Sequence, residues 1–178
     1  GLGDVYKRQG LTVNLSFELD NGAEAGGGPF DNHKVSVGSD SLGTLTVHGH
    51  GGSNAAAAVD ATAAGDLWDN TFGMSTGNGG NSVKAGPGGA GLVQYTLPTL
   101  ADGVAINATY ASAGENNEGS SAFGLVYTGI EGLTVSLGTG NDQSVALVDA
   151  DYTTMKAEYV FEVMPITVGV SASEYDHT

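Results

Sequence analysis

The 178-residue chain contains no cysteine, has 14% charged residues and carries a formal net charge of −15. The lack of cysteine excludes disulfide scaffolds, thiolate metal sites and cysteine nucleophiles, and the acidic balance argues against nucleic acid as a partner, because that partner requires a basic surface. The share of charge is about half that of an ordinary soluble domain, which indicates that something other than a charged surface faces outward.

The first nine residues, GLGDVYKRQ, differ in character from the rest of the chain and hold two of the five basic residues. The string resembles translated sequencing-adapter read-through. We therefore predict that residues 1–9 are a non-native leader and that the folded domain covers residues 10–178. The alternative is a disordered natural N-terminus.

From Gly10 onward, apolar and polar residues alternate with a period of two, which is typical of β-strands that have one apolar face. The first stripe is clear, since Leu11, Val13 and Leu15 alternate with Thr12 and Asn14. The same pattern predicts nine strands, at residues 11–19, 35–37, 45–47, 93–97, 104–110, 123–127, 133–137, 155–161 and 166–173. We therefore predict an all-β fold.

Charged side chains keep to the polar face of these predicted strands, as Glu18, Lys34, Lys156 and Glu158 show. A charge on the other face would cost about 2–4 kcal/mol if that face met hydrocarbon. No apolar run reaches the roughly 18 residues that a membrane helix needs. The pattern favours strands, not helices, in contact with lipid.

The predicted connections between strands alternate between long and short. Long ones cover residues 20–32, 49–80, 111–121 and 138–151, and short ones cover residues 40–43, 98–103, 129–132 and 162–165. An antiparallel meander with tight turns at one end and long loops at the other is typical of an outer-membrane barrel.

With these features the chain resembles the general porins of Gram-negative bacteria, particularly alphaproteobacterial ones. The resemblance is carried by GLTVNLSFELD, by HKVSVGSDSLGTLTVHG, and by DLWDNTFG and NSVKAG after a long acidic loop. The chain departs from the family pattern at His48, which stands where an arginine of the pore wall would be expected.

The resemblance implies an antiparallel meander that forms part of a transmembrane β-barrel, with about nine of an expected sixteen strands present. It implies passive diffusion of small hydrophilic solutes and ions across the outer membrane of a Gram-negative bacterium, contact with outer-membrane lipid, and a homotrimer. It implies neither a cofactor nor an enzymatic activity. The connection at residues 49–80 is similar to the inward-folded loop that narrows the pore in this family.

Residues 49–80 carry local signals of their own. Ser53 and Asn54 can cap a helix, and the alanine-rich residues 55–64 predict a short one. Asp60, Asp66 and Asp69 would place negative charge at a constriction, and this loop contains no Lys or Arg. Carboxylates in a pore favour cations, so we predict a weak cation preference. Alternatively, these aspartates are solvated loop residues or cap turns.

Trp68 and Phe72 are predicted to anchor this loop to the barrel wall. Glu18, Lys34, His48, Lys156 and Glu158 are predicted to line the wall itself, because they occupy the polar face of strands.

Two imidazoles on one strand face, as at His48 and His50, are a real metal-ligand geometry. No third ligand has convincing spacing, and this includes His33, so we predict no metal site. The run GPGGAG at residues 86–91 formally fits a dinucleotide fingerprint, but it leads into a predicted strand where that motif requires a helix.

A secreted, soluble, Gly/Asp-rich β protein, such as an adhesin or a calcium-binding β-solenoid, is the alternative function. It would account for the acidity and for the 30 glycines. It predicts repeats of fixed length and charges on both strand faces, and the sequence contains no such repeats. An enzyme on a β scaffold has no constellation of catalytic residues in its favour.

Overall fold

The computed structural model describes residues 2–8, 10–19, 30–56, 91–112, 119–145, 148–164 and 166–177. They form ten strands: β1 (Leu2–Arg8), β2 (Leu11–Leu19), β3 (Phe30–Ser39), β4 (Gly43–His50), β5 (Leu92–Thr96), β6 (Val104–Ala111), β7 (Ser120–Ile130), β8 (Leu133–Val145), β9 (Val148–Val160) and β10 (Thr167–His177).

The ten strands form one sheet in the order of the chain, from β1 to β10, and each described strand pair is antiparallel. The predicted all-β meander is therefore confirmed, and each of the nine predicted strands overlaps one of β2 to β10. A further strand, Leu2–Arg8, pairs with β2 along its full length and lies within the segment set aside as a leader. That residues 1–9 are a non-native leader stays a prediction.

One predicted long connection is wrong. Residues 138–151, expected to form a loop, instead extend β8 to Val145 and begin β9 at Val148. Past Leu137 the alternation of apolar and polar residues stops, yet the backbone ladder continues through Thr139↔Thr153 and Asn141↔Asp151. Hydrophobic periodicity cannot detect a strand whose two faces are both polar.

Cross-strand register gives the sheet two distinct faces. In one row, Leu15 pairs with Val35, Val35 with Val47, Val47 with Val93, and Val93 with Tyr110. Positions in line with that row are here named the apolar face. The alternate positions form the polar face, as in the neighbouring row Asn14, Ser36, Thr46, Gln94 and Thr109.

The apolar face is exposed, since Leu15 and Leu45 are each 45% accessible and Met155 is 50% accessible. Within the described residues, neither a second sheet nor a helix covers it. Charged side chains described on this face of β2 to β10 are confined to Asp151, Glu174 and Asp176, at the end of the sheet where the long connections lie. The described residues therefore leave a continuous apolar surface exposed.

The described part of the chain contains no helix with the length and apolarity required to cross a membrane.

Short turns close the opposite end of the sheet. Gly103, between β5 and β6, has φ of 76°, a left-handed conformation that glycine adopts without a steric penalty. Its carbonyl oxygen accepts a hydrogen bond from the Thr128 backbone N–H at 2.7 Å. This turn is thus tied to the neighbouring strand β7.

A charge at the centre of the apolar face is expected to destabilise the protein. For Val47→Arg in the full-length protein, we expect a loss of about 2–4 kcal/mol in the free energy of unfolding, because the guanidinium would lie in hydrocarbon. Urea unfolding in phospholipid vesicles measures the change. Thr46→Arg is the matched control, since Thr46 is adjacent in sequence but belongs to the polar face. Equal losses for both variants would show that Val47 does not face lipid.

Candidate functional site

The five residues predicted to line a wall all lie on the polar face. Glu18, Lys34 and His48 are near the long-connection end of β2, β3 and β4, while Lys156 and Glu158 are near the short-turn end of β9. The sheet therefore separates them into two groups at opposite ends, which strand patterning alone does not reveal.

In each of these two groups of residues, a charged side chain has a polar or charged partner nearby. Lys156 Nζ lies 3.8 Å from Glu158 Oε2, with side-chain exposures of 15% and 29%. At the other end, Asn32 Nδ2 donates to Glu18 Oε2 at 3.0 Å. The amide holds the Glu18 carboxylate without neutralising it, whereas Lys156 and Glu158 largely cancel one another's charge.

Neutral polar groups fill the polar face across β4, β5 and β6. His48 Nε2 lies 3.2 Å from Gln94 Oε1, Gln94 Nε2 donates to Asn107 Oδ1 at 3.5 Å, and Thr96 Oγ1 donates to the same oxygen at 2.7 Å. Amide and hydroxyl groups therefore form a continuous hydrogen-bonded strip with no charged side chain in it.

All three histidines border one recess at the long-connection end of β2, β3 and β4. His33 pairs with His50 across a register shift between β3 and β4, and its ring covers Gly49. His48 is only 8% exposed, and its Nδ1 has no hydrogen-bond partner among the described residues. Across the described ranges, no group of three or more His, Asp or Glu is placed to hold a metal ion.

The connection that follows β4 turns onto the polar face of the sheet. The Ala55 backbone N–H donates to Thr109 Oγ1 in β6 at 2.9 Å, and Asn54 Nδ2 donates to Tyr152 Oη in β9 at 2.9 Å. Ala55 is 6% exposed and Ala56 is fully buried. Residues 51–56 therefore cross several strands of the sheet rather than projecting away from it.

Small residues of β7 and β8 make room for this crossing. A Cβ atom on Gly124 would collide with the Ala55 carbonyl oxygen, and one on Gly138 would lie 2.9 Å from Ala56 Cβ. We name Gly124 and Gly138 the glycine seat. They pair directly across β7 and β8. Sequence patterning did not reveal this seat, because Gly138 fell within a predicted loop and its pairing with Gly124 requires the register of the sheet.

The predicted cap at the start of the loop has a structural counterpart, since Asn54 Oδ1 accepts a hydrogen bond from the Ala56 backbone N–H at 2.8 Å. The rest of the predicted helix, residues 57–64, lies outside the described residues. So do the remaining predicted loop residues, namely the aspartates Asp60, Asp66 and Asp69 and the anchors Trp68 and Phe72.

Comparison with known proteins agrees with this architecture. A sequence model of a family described as Gram-negative porin matches residues 7–178. Among solved structures, the anion-selective porin from Comamonas acidovorans is similar, with a TM-score of 0.52 and 17% sequence identity over 95% of this chain and 55% of that one. The chain thus spans about half the length of that structure. No curated protein matches it.

The hydrogen bond from Ala55 to Thr109 is expected to stabilise the crossing. Thr109→Val keeps the shape of the side chain but leaves the buried Ala55 N–H without an acceptor, which costs about 1–3 kcal/mol. Urea unfolding of the full-length protein measures the loss. Thr109→Ser, which retains the hydroxyl, is expected to lose clearly less. If both variants lost the same amount, the hydrogen bond would not be the cause.

The glycine seat is expected to hold the connection against the sheet. Gly124→Val would push the Ala55 carbonyl away, so we expect proteinase K to cleave the connection several times faster in the full-length protein. Ala105→Val is the matched control, because it also places valine on the polar face but at an exposed position. Unchanged cleavage in Gly124→Val would contradict this role of the seat.

Proposed function

The chain belongs to the Gram-negative porin family, and from this we propose that the protein is a passive diffusion channel for small hydrophilic solutes and ions. Membership in the family places it in the outer membrane of a Gram-negative bacterium. The observation that supports the channel most directly is the connection after β4, which folds over the polar face and is held there by Thr109 and Tyr152.

Strand length and polarity support the same proposal. A membrane strand needs about 9–11 residues. Six of the ten described strands have 9 to 13 residues, whereas β1, β4, β5 and β6 have 5 to 8. The apolar face would meet lipid and the polar face would meet water. Solutes would then be selected by size at the point where the connection narrows the pore, and by the charges there.

The proposed whole channel is a homotrimer, as the family resemblance implies, and the described strands form part of each barrel wall. The exposed apolar face would supply the surface for lipid and for neighbouring subunits. We propose no catalytic role, because neither group of polar-face charges has a nucleophile placed beside a general base.

The secreted, soluble alternative predicts charges on both faces and fixed repeats. The first prediction does not fit an apolar face on which Leu15, Leu45 and Met155 are each 45–50% accessible. The second does not fit the sequence, which contains no repeats of fixed length. The three carboxylates on that face occur together at one end of the sheet. The porin proposal accounts for this placement, because that end would project beyond the hydrocarbon.

We further propose a weak preference for cations. Among the polar-face charges whose side chains are described, Lys34 and Lys156 balance Glu18 and Glu158. A net bias would therefore come from the loop, where Asp60, Asp66 and Asp69 have no basic counterpart. The similar porin is named as anion-selective, but at its level of identity the similarity concerns the fold alone.

Reversal potentials across planar bilayers test this preference. With a potassium chloride gradient, the full-length channel is expected to favour potassium, and the triple variant Asp60→Asn, Asp66→Asn, Asp69→Asn is expected to lose most of that preference. The reason is that carboxylates at a constriction raise the local concentration of cations. Anion preference in the unaltered channel would contradict the proposal.

Asp102→Asn is the control for this experiment. Asp102 is an exposed residue in the turn between β5 and β6, away from the connection. The substitution removes one carboxylate in the same way, so it is expected to leave the reversal potential unchanged. A shift as large as that of the triple variant would assign the preference to overall charge and not to the loop.

A further inference from the structure

A recess lies at the long-connection end of β2, β3 and β4, where the segment that crosses to β9 begins. Its volume is about 440 Å³, and its lining includes the polar residues Glu18, Lys34 and His48 together with Phe17 and Gly51. Small-molecule sites in proteins usually have volumes of about 300–1,000 Å³. The recess therefore has room for a small solute.

Two opposite charges in this recess remain apart from one another. Glu18 accepts a hydrogen bond from Asn32, and no ion pair joins Glu18 to Lys34 among the described residues. Lys34 pairs across the strands with Ser16, two positions before Glu18. The two charged side chains therefore come from neighbouring strands at different levels of the sheet and border the same recess without pairing.

The recess also holds an unused polar atom. His48 borders it, is only 8% exposed, and has no hydrogen-bond partner for Nδ1 within the described residues. Buried polar groups in proteins are normally hydrogen-bonded. A polar ligand bound in this recess could supply the missing hydrogen-bond partner of this nitrogen and contact both charged side chains.

We propose that this recess is a subsite for small zwitterionic solutes of the α-amino acid class, an inference that rests on the proposed channel function. The solute's ammonium group would bind the Glu18 carboxylate, and its carboxylate would bind the Lys34 ammonium. Both contacts would be charge-assisted hydrogen bonds, which are roughly twice as strong as those between neutral groups.

The two charges explain why the solute class is zwitterionic. A simple anion would be attracted by Lys34 but repelled by the Glu18 carboxylate. A simple cation would be attracted by Glu18 but repelled by Lys34. An uncharged polyol would gain only hydrogen bonds in exchange for those it makes with water. Only a solute that carries both signs satisfies both side chains.

Liposome swelling with the full-length channel tests the proposal, with L-alanine and glycerol as probes of nearly equal size. For the unaltered channel we expect a higher ratio of the L-alanine rate to the glycerol rate than for Glu18→Gln or Lys34→Gln. Losing one exposed charge contact should lower the ratio about two- to fivefold. The double exchange Glu18→Lys, Lys34→Glu restores both charges in reverse order and is expected to recover the ratio.

Glu131→Gln is the matched control, since Glu131 is exposed in the turn between β7 and β8 and should leave the ratio unchanged. Glycerol flux reports whether each variant inserts and conducts. If the unaltered channel passed no glycerol and carried no ion current, the channel function itself would be wrong. If glycerol passed while the ratio stayed the same in both single variants, the zwitterion subsite would be wrong and the channel would stand.

Discussion

The structure depends on the in-register alternation of side chains across antiparallel strands. Each strand presents its apolar residues to one face, and the register keeps them in rows from β2 through β6, as in the row from Leu15 to Tyr110. A slip of one residue would move every side chain of a strand to the opposite face. In a membrane this would expose hydroxyls and charges to hydrocarbon, so both faces together fix the register.

The polar face has three parts with different physical character. Charged groups lie towards the two ends of the sheet, a neutral strip centred on Gln94 and Asn107 lies between strands β4 and β6, and the glycine seat lies on β7 and β8. The neutral strip offers hydrogen bonds without attracting either sign of ion. The seat has no side chain, so a segment of backbone can approach the sheet closely. The charged side chains, the neutral hydrogen-bonding side chains and the open space for the crossing segment thus lie in different parts of the polar face.

The sequence predicted the strands well because alternation is a local signal that each strand carries alone. It failed at β8 and β9, where both faces are polar beyond Leu137 and the ladder depends on backbone pairing alone. It also missed the glycine seat, because the seat exists only once Gly124 and Gly138 are aligned by register and Ala55 is brought over them. The pattern of alternation was enough to assign Glu18 and Lys156 to a face, whereas their grouping at opposite ends required the sheet.

The crossing segment has a consequence for the order of assembly. Asn54 reaches a tyrosine 98 positions away along the chain, and Ala55 reaches a threonine 54 positions away. Contacts between such distant positions form late, because the intervening chain must first lose its conformational freedom. The acceptors for both bonds come into place only when β6 and β9 are correctly aligned. This segment would then bind to the sheet only after the strands have paired in the correct register.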